Sequence, residues 1–298
     1  MKKITIDNID ASIFKEDSKY IYLKIIPPKG EIKINVPYQI KDEDIALFIK
    51  NNAAFINKYR HISISENNII TQVYDSNTGH KPIYAFATKS EIGAAPTLLN
   101  ASSATNFVYE VDNISDRDIE AINGIESRQK IKDRMKMLVE CSDDVVFNGL
   151  VNDVFYGNLM LIDTSFPRIM VEALKISFLE DISSCKSVVE KLEYRNPLRY
   201  PRKGLYEYKF KKFLCAVALG LMPARFWDGV DDANGGYIIV RRDGEVLAYY
   251  IYNRSAFESY LLNNTKFEKG STTRHNYASL YKEENKVLLN LNLSIRFM

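Results

Sequence analysis

Alternating apolar and polar positions mark the first forty residues. Lys2 to Asp7 and Tyr20-Ile-Tyr-Leu-Lys-Ile-Ile26 read as strands. Pro27-Pro28-Lys29-Gly30-Glu31 breaks the pattern as a turn, and Ile32-Lys-Ile-Asn-Val36 alternates again. From Asp42 to Arg60 the period changes. Ile45, Phe48, Ile49, Phe55 and Ile56 share one face at helical spacing, which predicts an amphipathic helix. Together these elements predict a small N-terminal ββα module over residues 1–60, ahead of a larger domain over 61–298.

The larger segment opens with β structure. Ile69 to Val73 and Pro82 to Ala87 are expected to pair as a hairpin across Asp75-Ser-Asn-Thr-Gly79. Asn106 to Val111 reads as another strand. Asp116 to Leu138 reads helical, with Glu126, Arg128, Lys130, Lys132, Asp133, Arg134 and Lys136 as its solvated, charged face. Ser165 to Leu179, Ser184 to Leu192 and Tyr206 to Leu219 follow as helices, the last closed by Gly220. Gly236 to Val240 and Val246 to Tyr252 predict a hairpin over Arg241-Arg242-Asp243-Gly244. Phe257 to Leu262 is a short helix, and Val287 to Phe297 supplies two final strand pieces. Strands and helices so mixed predict an α/β fold with a mixed central sheet flanked by helices.

One stretch interrupts this regular pattern. Phe86-Ala-Thr-Lys89-Ser-Glu-Ile-Gly93-Ala-Ala-Pro-Thr97-Leu-Leu-Asn100-Ala-Ser-Ser-Ala-Thr105-Asn106-Phe-Val-Tyr109 brings a lysine from a strand to a Gly/Pro break, then runs on through small hydroxyl and amide residues. Short hydrogen-bonding side chains in a fixed loop suit the close approach of a phosphate backbone or base edges. The stretch resembles a block of the HpaII family of type II restriction endonucleases. Two further blocks agree: Ala218 to Pro223 with Trp227-Asp-Gly229, Gly235 to Val240 and Asp243 to Val246; then Tyr252-Asn-Arg254, Phe257 to Lys266, Ser271 to His275 and Leu291 to Phe297. The resemblance covers roughly residues 67 to 298. The first 60 residues instead resemble the start of YgjP-like zinc metallopeptidases. The only histidines, His61, His80 and His275, lack the helical pair that such a zinc site needs.

The resemblance implies a PD-(D/E)xK-like nuclease core. In that core a strand aspartate and an acid-x-Lys pair hold Mg²⁺ and place a cation at the attacked phosphate. Lys89 takes the lysine position. Asn68 stands where the family strand carries its aspartate, which should weaken metal binding, because an amide carbonyl brings no charge. Asp75 and Glu91 are the remaining nearby carboxylates, and Glu91, two residues after Lys89, would face the same side of a strand. The expected catalytic residues are therefore Lys89, Asp75 and Glu91, with Asp75, Glu91 and Asn68 as candidate metal ligands. For DNA contact the matching blocks offer Asn100, Thr105, Asn106, Arg254, Lys266, Arg274, His275 and Arg296. The implied target is a CCGG-like palindrome in double-stranded DNA, read by a homodimer and shared with a cognate methyltransferase. A catalytically inactive, sequence-specific DNA-binding remnant is the alternative.

Composition changes this picture little. The 298 residues carry a formal net charge of +2, with 26% charged and 46% hydrophobic residues, as in ordinary globular proteins. The distribution is less even. Residues 67–199 carry 14 Lys/Arg against 19 Asp/Glu, and residues 200–298 carry 15 against 10. A basic C-terminal third is what a duplex-binding segment would show. No apolar run approaches 18 residues and the start lacks a signal-like apolar stretch, so a cytoplasmic protein with no membrane span is expected. Cys141, Cys185 and Cys215 are scattered without metal spacing and are expected to be reduced thiols.

Overall fold

The computed structural model describes residues 2–18, 20–26, 29–66, 68–74, 82–91, 95–241, 243–250, 253–269 and 277–298. In chain order the elements are β1 (Lys2–Ile6), β2 (Ile9–Glu16), β3 (Ile21–Ile26), β4 (Glu31–Pro37), α1 (Asp42–Asn51), α2 (Ala53–Glu66), β5 (Asn68–Tyr74) and β6 (Ile83–Ser90). Next come β7 (Thr97–Leu99), β8 (Asn106–Val111), α3 (Asp116–Asn123), α4 (Lys130–Cys141), β9 (Val145–Leu150), α5 (Asp153–Ile162), α6 (Phe166–Leu179), α7 (Cys185–Arg195) and α8 (Leu205–Leu219). The chain ends with β10 (Gly236–Val240), β11 (Val246–Tyr250), α9 (Arg254–Asn264), β12 (Thr265–Phe267), β13 (Leu280–Glu283), β14 (Lys286–Asn292) and β15 (Ile295–Phe297). Its contacts divide into two units. The first comprises Met1–Gly93 with Asp231–Arg254, the second Ala94–Val230 with Ser255–Met298.

The first unit is an eight-stranded sheet in the order β1-β2-β4-β3-β5-β6-β10-β11. β2 runs parallel to β4 and β10 parallel to β6, while the remaining neighbours are antiparallel. The sheet is therefore mixed, as expected. Alternation along β2, β3 and β4 puts Ile9, Ile13, Leu23, Ile32, Ile34 and Val36 on one face, where Ile45, Ile49 and Ile56 of α1 and α2 cover them. The N-terminal strands thus belong to the same sheet as the Lys89 strand, and residue 60 falls inside α2 rather than at either unit's limit.

Two local expectations for this unit need correction. β2 was not foreseen. Asp7 and Asn8 both hold positive φ, 49° and 65°, giving the two-residue turn that folds Ile9 back onto Ile6. The helix expected from Asp42 to Arg60 is two helices, because Asn52 ends the first one. Its amide nitrogen and its side-chain Nδ2 both donate to the Phe48 carbonyl, at 3.2 and 2.7 Å.

The second unit holds an antiparallel sheet, β13-β14-β8-β9, a smaller sheet, β12-β15-β7, and a helical core in which Phe166, Phe210 and Phe213 are fully buried. The helix expected from Asp116 to Leu138 is interrupted between Gly124 and Lys130. Arg134, expected on its solvated face, is only 4% exposed. Its guanidinium donates to the Asn123 carbonyl at 2.6 Å and to Ser279 Oγ at 2.7 Å, holding the corner where the helix breaks. None of the three cysteines is in a disulfide, and burial pushes the Cys185 thiol up to about 12, so it stays protonated and inert. No helix among the described residues is long and apolar enough to cross a membrane.

Candidate active site and DNA-contact residues

Lys89 sits near the end of β6, inside the sheet. On one side lies β5, where position 68 pairs with Ala87; on the other lies β10, where Ile239 pairs with Lys89. Strand alternation puts positions 68, 87 and 89 on the same side of the sheet, together with the buried Tyr237 and Ile239. The start of β5 and the ends of β6 and β10 converge at one edge. Lys89 is half-buried there, makes no ion pair with any described residue, and burial alone holds its ammonium below the ordinary value of 10.5. The hairpin that presents it is the one expected from the sequence.

The close packing of β10 against its two neighbours, β11 and β6, depends on two adjacent glycines. Gly236 has φ +139°, and a Cβ there would stand 2.0 Å from the Tyr249 carbonyl oxygen. A Cβ on Gly235 would meet the Phe86 ring and Tyr84 Cβ at 2.9 Å. Asn234 fastens the same junction, accepting from the Ala85 amide at 2.8 Å and donating to the Ile83 carbonyl at 3.2 Å. Sequence reasoning named the Gly-Gly pair only as part of a matching block and missed Asn234. An amide residue just before a Gly-Gly strand entry was the available signal. Asn158 of α5 was missed too. It is buried, donates to the Arg225 carbonyl at 2.8 Å and accepts from the Trp227 amide at 3.0 Å, fixing the Trp227-Asp-Gly229 turn.

The expected acids are less well assembled. Glu91 continues the ladder past β6, its amide donating to the Val240 carbonyl at 2.7 Å, and its half-buried position falls on the Lys89 side by alternation. Asp75 lies outside the described residues, as do Arg274 and His275. Among the described residues no three His, Cys, Asp or Glu side chains gather into a metal-binding group. Of the expected ligands, the described residues place one carboxylate, Glu91, and one neutral amide, at position 68, on the Lys89 side; these two alone would hold a divalent ion weakly. Lys89 is thus the expected catalytic residue whose surroundings the described residues define most fully.

The DNA-contact candidates fall into three groups. Thr105 and Asn106 are buried. Thr105 Oγ1 donates to the Ser102 carbonyl, closing a turn within the polar tract, and Asn106 Oδ1 accepts from Asn292 at 2.6 Å, holding the tract to the end of β14. Leu98 and Leu99 of the same tract are also buried, which makes it a packed strand and 3₁₀ turn rather than an open loop. Asn100 is exposed. A row of polar residues crosses the small sheet, where Lys266 pairs with Arg296 and Arg296 with Thr97. Arg296 meets Glu268 at 3.0 Å, while its Nε is buried without a partner among the described residues. Arg254 meets Asp231 at 3.3 Å, and burial nevertheless raises the Asp231 carboxyl above its ordinary 3.8.

A mixed sheet that carries a desolvated lysine at the end of a central hairpin is the arrangement of restriction-endonuclease-like nucleases. The chain belongs to the HpaII restriction endonuclease family, whose model matches residues 3–297. The match begins in β1, so the N-terminal strands, expected to lie outside the family, fall within it. The type II restriction enzyme HpaII of Haemophilus parainfluenzae is 38% identical over 239 residues, 79% of this chain and 66% of that enzyme. The chain therefore spans slightly less than two thirds of the curated relative it matches. No solved structure matches it.

Proposed function

We propose that the chain is a site-specific deoxyribonuclease of HpaII type, acting on double-stranded DNA at a CCGG-like palindrome with weakened cleavage. The observation that supports this reading is Lys89, desolvated at the end of β6 beside position 68, in a chain whose relative is a restriction enzyme. A compact ammonium there would neutralise charge that develops on the attacked phosphate. Mg²⁺ is the cofactor this chemistry calls for, with Asp75 and Glu91 as carboxylate ligands and Asn68 as a poor third. A palindromic target calls for two copies of the chain on one site. A methyltransferase that marks the same sequence is the accompanying partner.

A second reading, specific binding without cleavage, is favoured by Asn68 alone. Digestion of a plasmid carrying CCGG sites with Mg²⁺ separates the two. Slow cutting at CCGG supports the enzyme, and Asn68→Asp should then speed it by about tenfold or more, the scale on which metal-site partners act. Tight CCGG binding with no cutting by either protein supports the inactive binder. Cutting elsewhere would overturn the assigned target.

A further inference from the structure

We infer that the loop between α7 and α8, carrying Arg199, Arg202 and Lys203, is a preformed contact surface for the phosphate backbone of duplex DNA. The inference rests on the reading that the chain binds DNA, and it adds a surface apart from Lys89 and from every expected contact residue. Its first support is charge. Arg199, Arg202 and Lys203 are exposed, and none forms an ion pair with a described residue, whereas neighbouring Lys191, Arg195, Lys209, Lys211 and Lys212 are all paired with carboxylates. The acids that flank them in sequence are both engaged: Glu207 pairs with Lys211, and Glu193 is taken up by backbone amides. Its carboxylate accepts from the backbone amides of Gly204 and Glu207 at 2.9 and 3.0 Å, at the N-terminus of α8.

The second support is rigidity. Asn196, at φ 48°, accepts from the Tyr200 amide at 2.7 Å and donates to its carbonyl at 2.9 Å. The Tyr206 hydroxyl donates to Asn196 at 3.0 Å and accepts from the Leu198 amide at 2.8 Å. Tyr200 is clamped in turn, its ring under Lys209 at 4.5 Å and its hydroxyl beside Ser165. Pro197 and Pro201 fix two more backbone angles. Arg199 itself is held at φ 55°, a conformation that disfavours an ordinary side chain. A loop held this firmly presents its cations with little ordering entropy left to lose on binding. Three cations on a fixed, exposed strap, none ion-paired with a described residue, suit the phosphate backbone, and the scrambled duplex below separates that contact from an arginine fork on guanine.

The experiment compares the full chain with its Arg199→Gln/Arg202→Gln/Lys203→Gln variant. Binding to a CCGG duplex and to a scrambled duplex is measured by fluorescence anisotropy from 50 to 300 mM NaCl. Unchanged thermal melting verifies the fold, and the single variant Arg202→Gln is carried alongside for the event that the triple variant melts early. Three phosphate contacts predict that the slope of log affinity against log salt becomes shallower by about 2.7, with similar losses on both duplexes; the single variant should lose about 0.9. An unchanged slope in a folded variant overturns the loop as a DNA surface while leaving the nuclease reading intact. A loss confined to the CCGG duplex also overturns it, because the residues would then be reading bases. If the unaltered chain binds neither duplex, the DNA-binding reading and this inference both fail.

Discussion

On the proposed function, Lys89 pits stability against catalysis within one side chain. Burial disfavours its charged form, so the unfolded chain binds more protons than the folded one between the lowered value and 10.5. Stability from this group therefore rises with pH across that window, and below it the cost of burying the charge is present in full. Lys89→Met should raise the melting temperature near pH 7, lose that advantage as pH nears 10.5, and cut any cleavage by about 10²–10³-fold. A melting temperature that falls at pH 7 would show that the ammonium is held by a favourable partner. Arg254 poses a similar question. Asp231 keeps a raised carboxyl despite Arg254, so losing the guanidinium would leave it more costly when ionised. Arg254→Ala should destabilise more at pH 7 than at pH 4, where Asp231 can hold its proton. If Arg254 also forks onto a guanine, the same variant should lose about 1–3 kcal/mol on CCGG duplex and much less on unrelated duplex. Lys89 was legible in the sequence because its strand, its turn and its block of neighbours all agree. The burial of Arg134 and Thr105 was not, since charge and hydroxyl runs look the same whether their partners are water or carbonyls far along the chain.

At the scale of elements, hairpins and long helices were readable and short or interrupted pieces were not. The hairpin of β10 and β11 followed from Arg-Arg-Asp-Gly, and α6 and α8 from sustained apolar faces. β7 and β12 are three residues each, too short to show a period, and exist because β15 lies between them. The break at Asn52 turns on one side chain competing for a helix carbonyl, which no apolar count reveals. The junction of β10 and β11 makes the sharpest prediction here. Gly236→Ala would drive a Cβ into the Tyr249 carbonyl at a φ that alanine resists, and should cost on the order of 3 kcal/mol in urea unfolding. Gly244→Ala also strains a positive φ but meets nothing within 4 Å, so it should cost about 1 kcal/mol. Equal losses at the two sites would mean that strain, rather than the close approach of β11, sets the need for glycine.

For the whole molecule, the first unit is discontinuous in sequence. Gly236 pairs with Phe86, 150 positions away in sequence, and Asn234 ties β10 to β6 over a similar span. Contacts so distant form late and slow the search for the native state. Deleting residues 231–254, with Val230 joined to Ser255 by a linker, would remove β10 and β11, leaving β6 with an unpaired edge, and the product should aggregate and show no cleavage. Adding residues 231–254 back as a separate peptide should restore solubility only where β10 can dock beside β6. This arrangement carries a consequence for synthesis inside a cell. A ribosome making the protein releases Lys89 early but the strand that flanks it more than a hundred residues later. The lysine is thus hydrated and ordinary throughout most of translation. On the proposed function, a nascent or prematurely terminated product that stops short of β10 would carry no competent cutting edge, so any danger to the cell's own genome would begin only after that strand has been made.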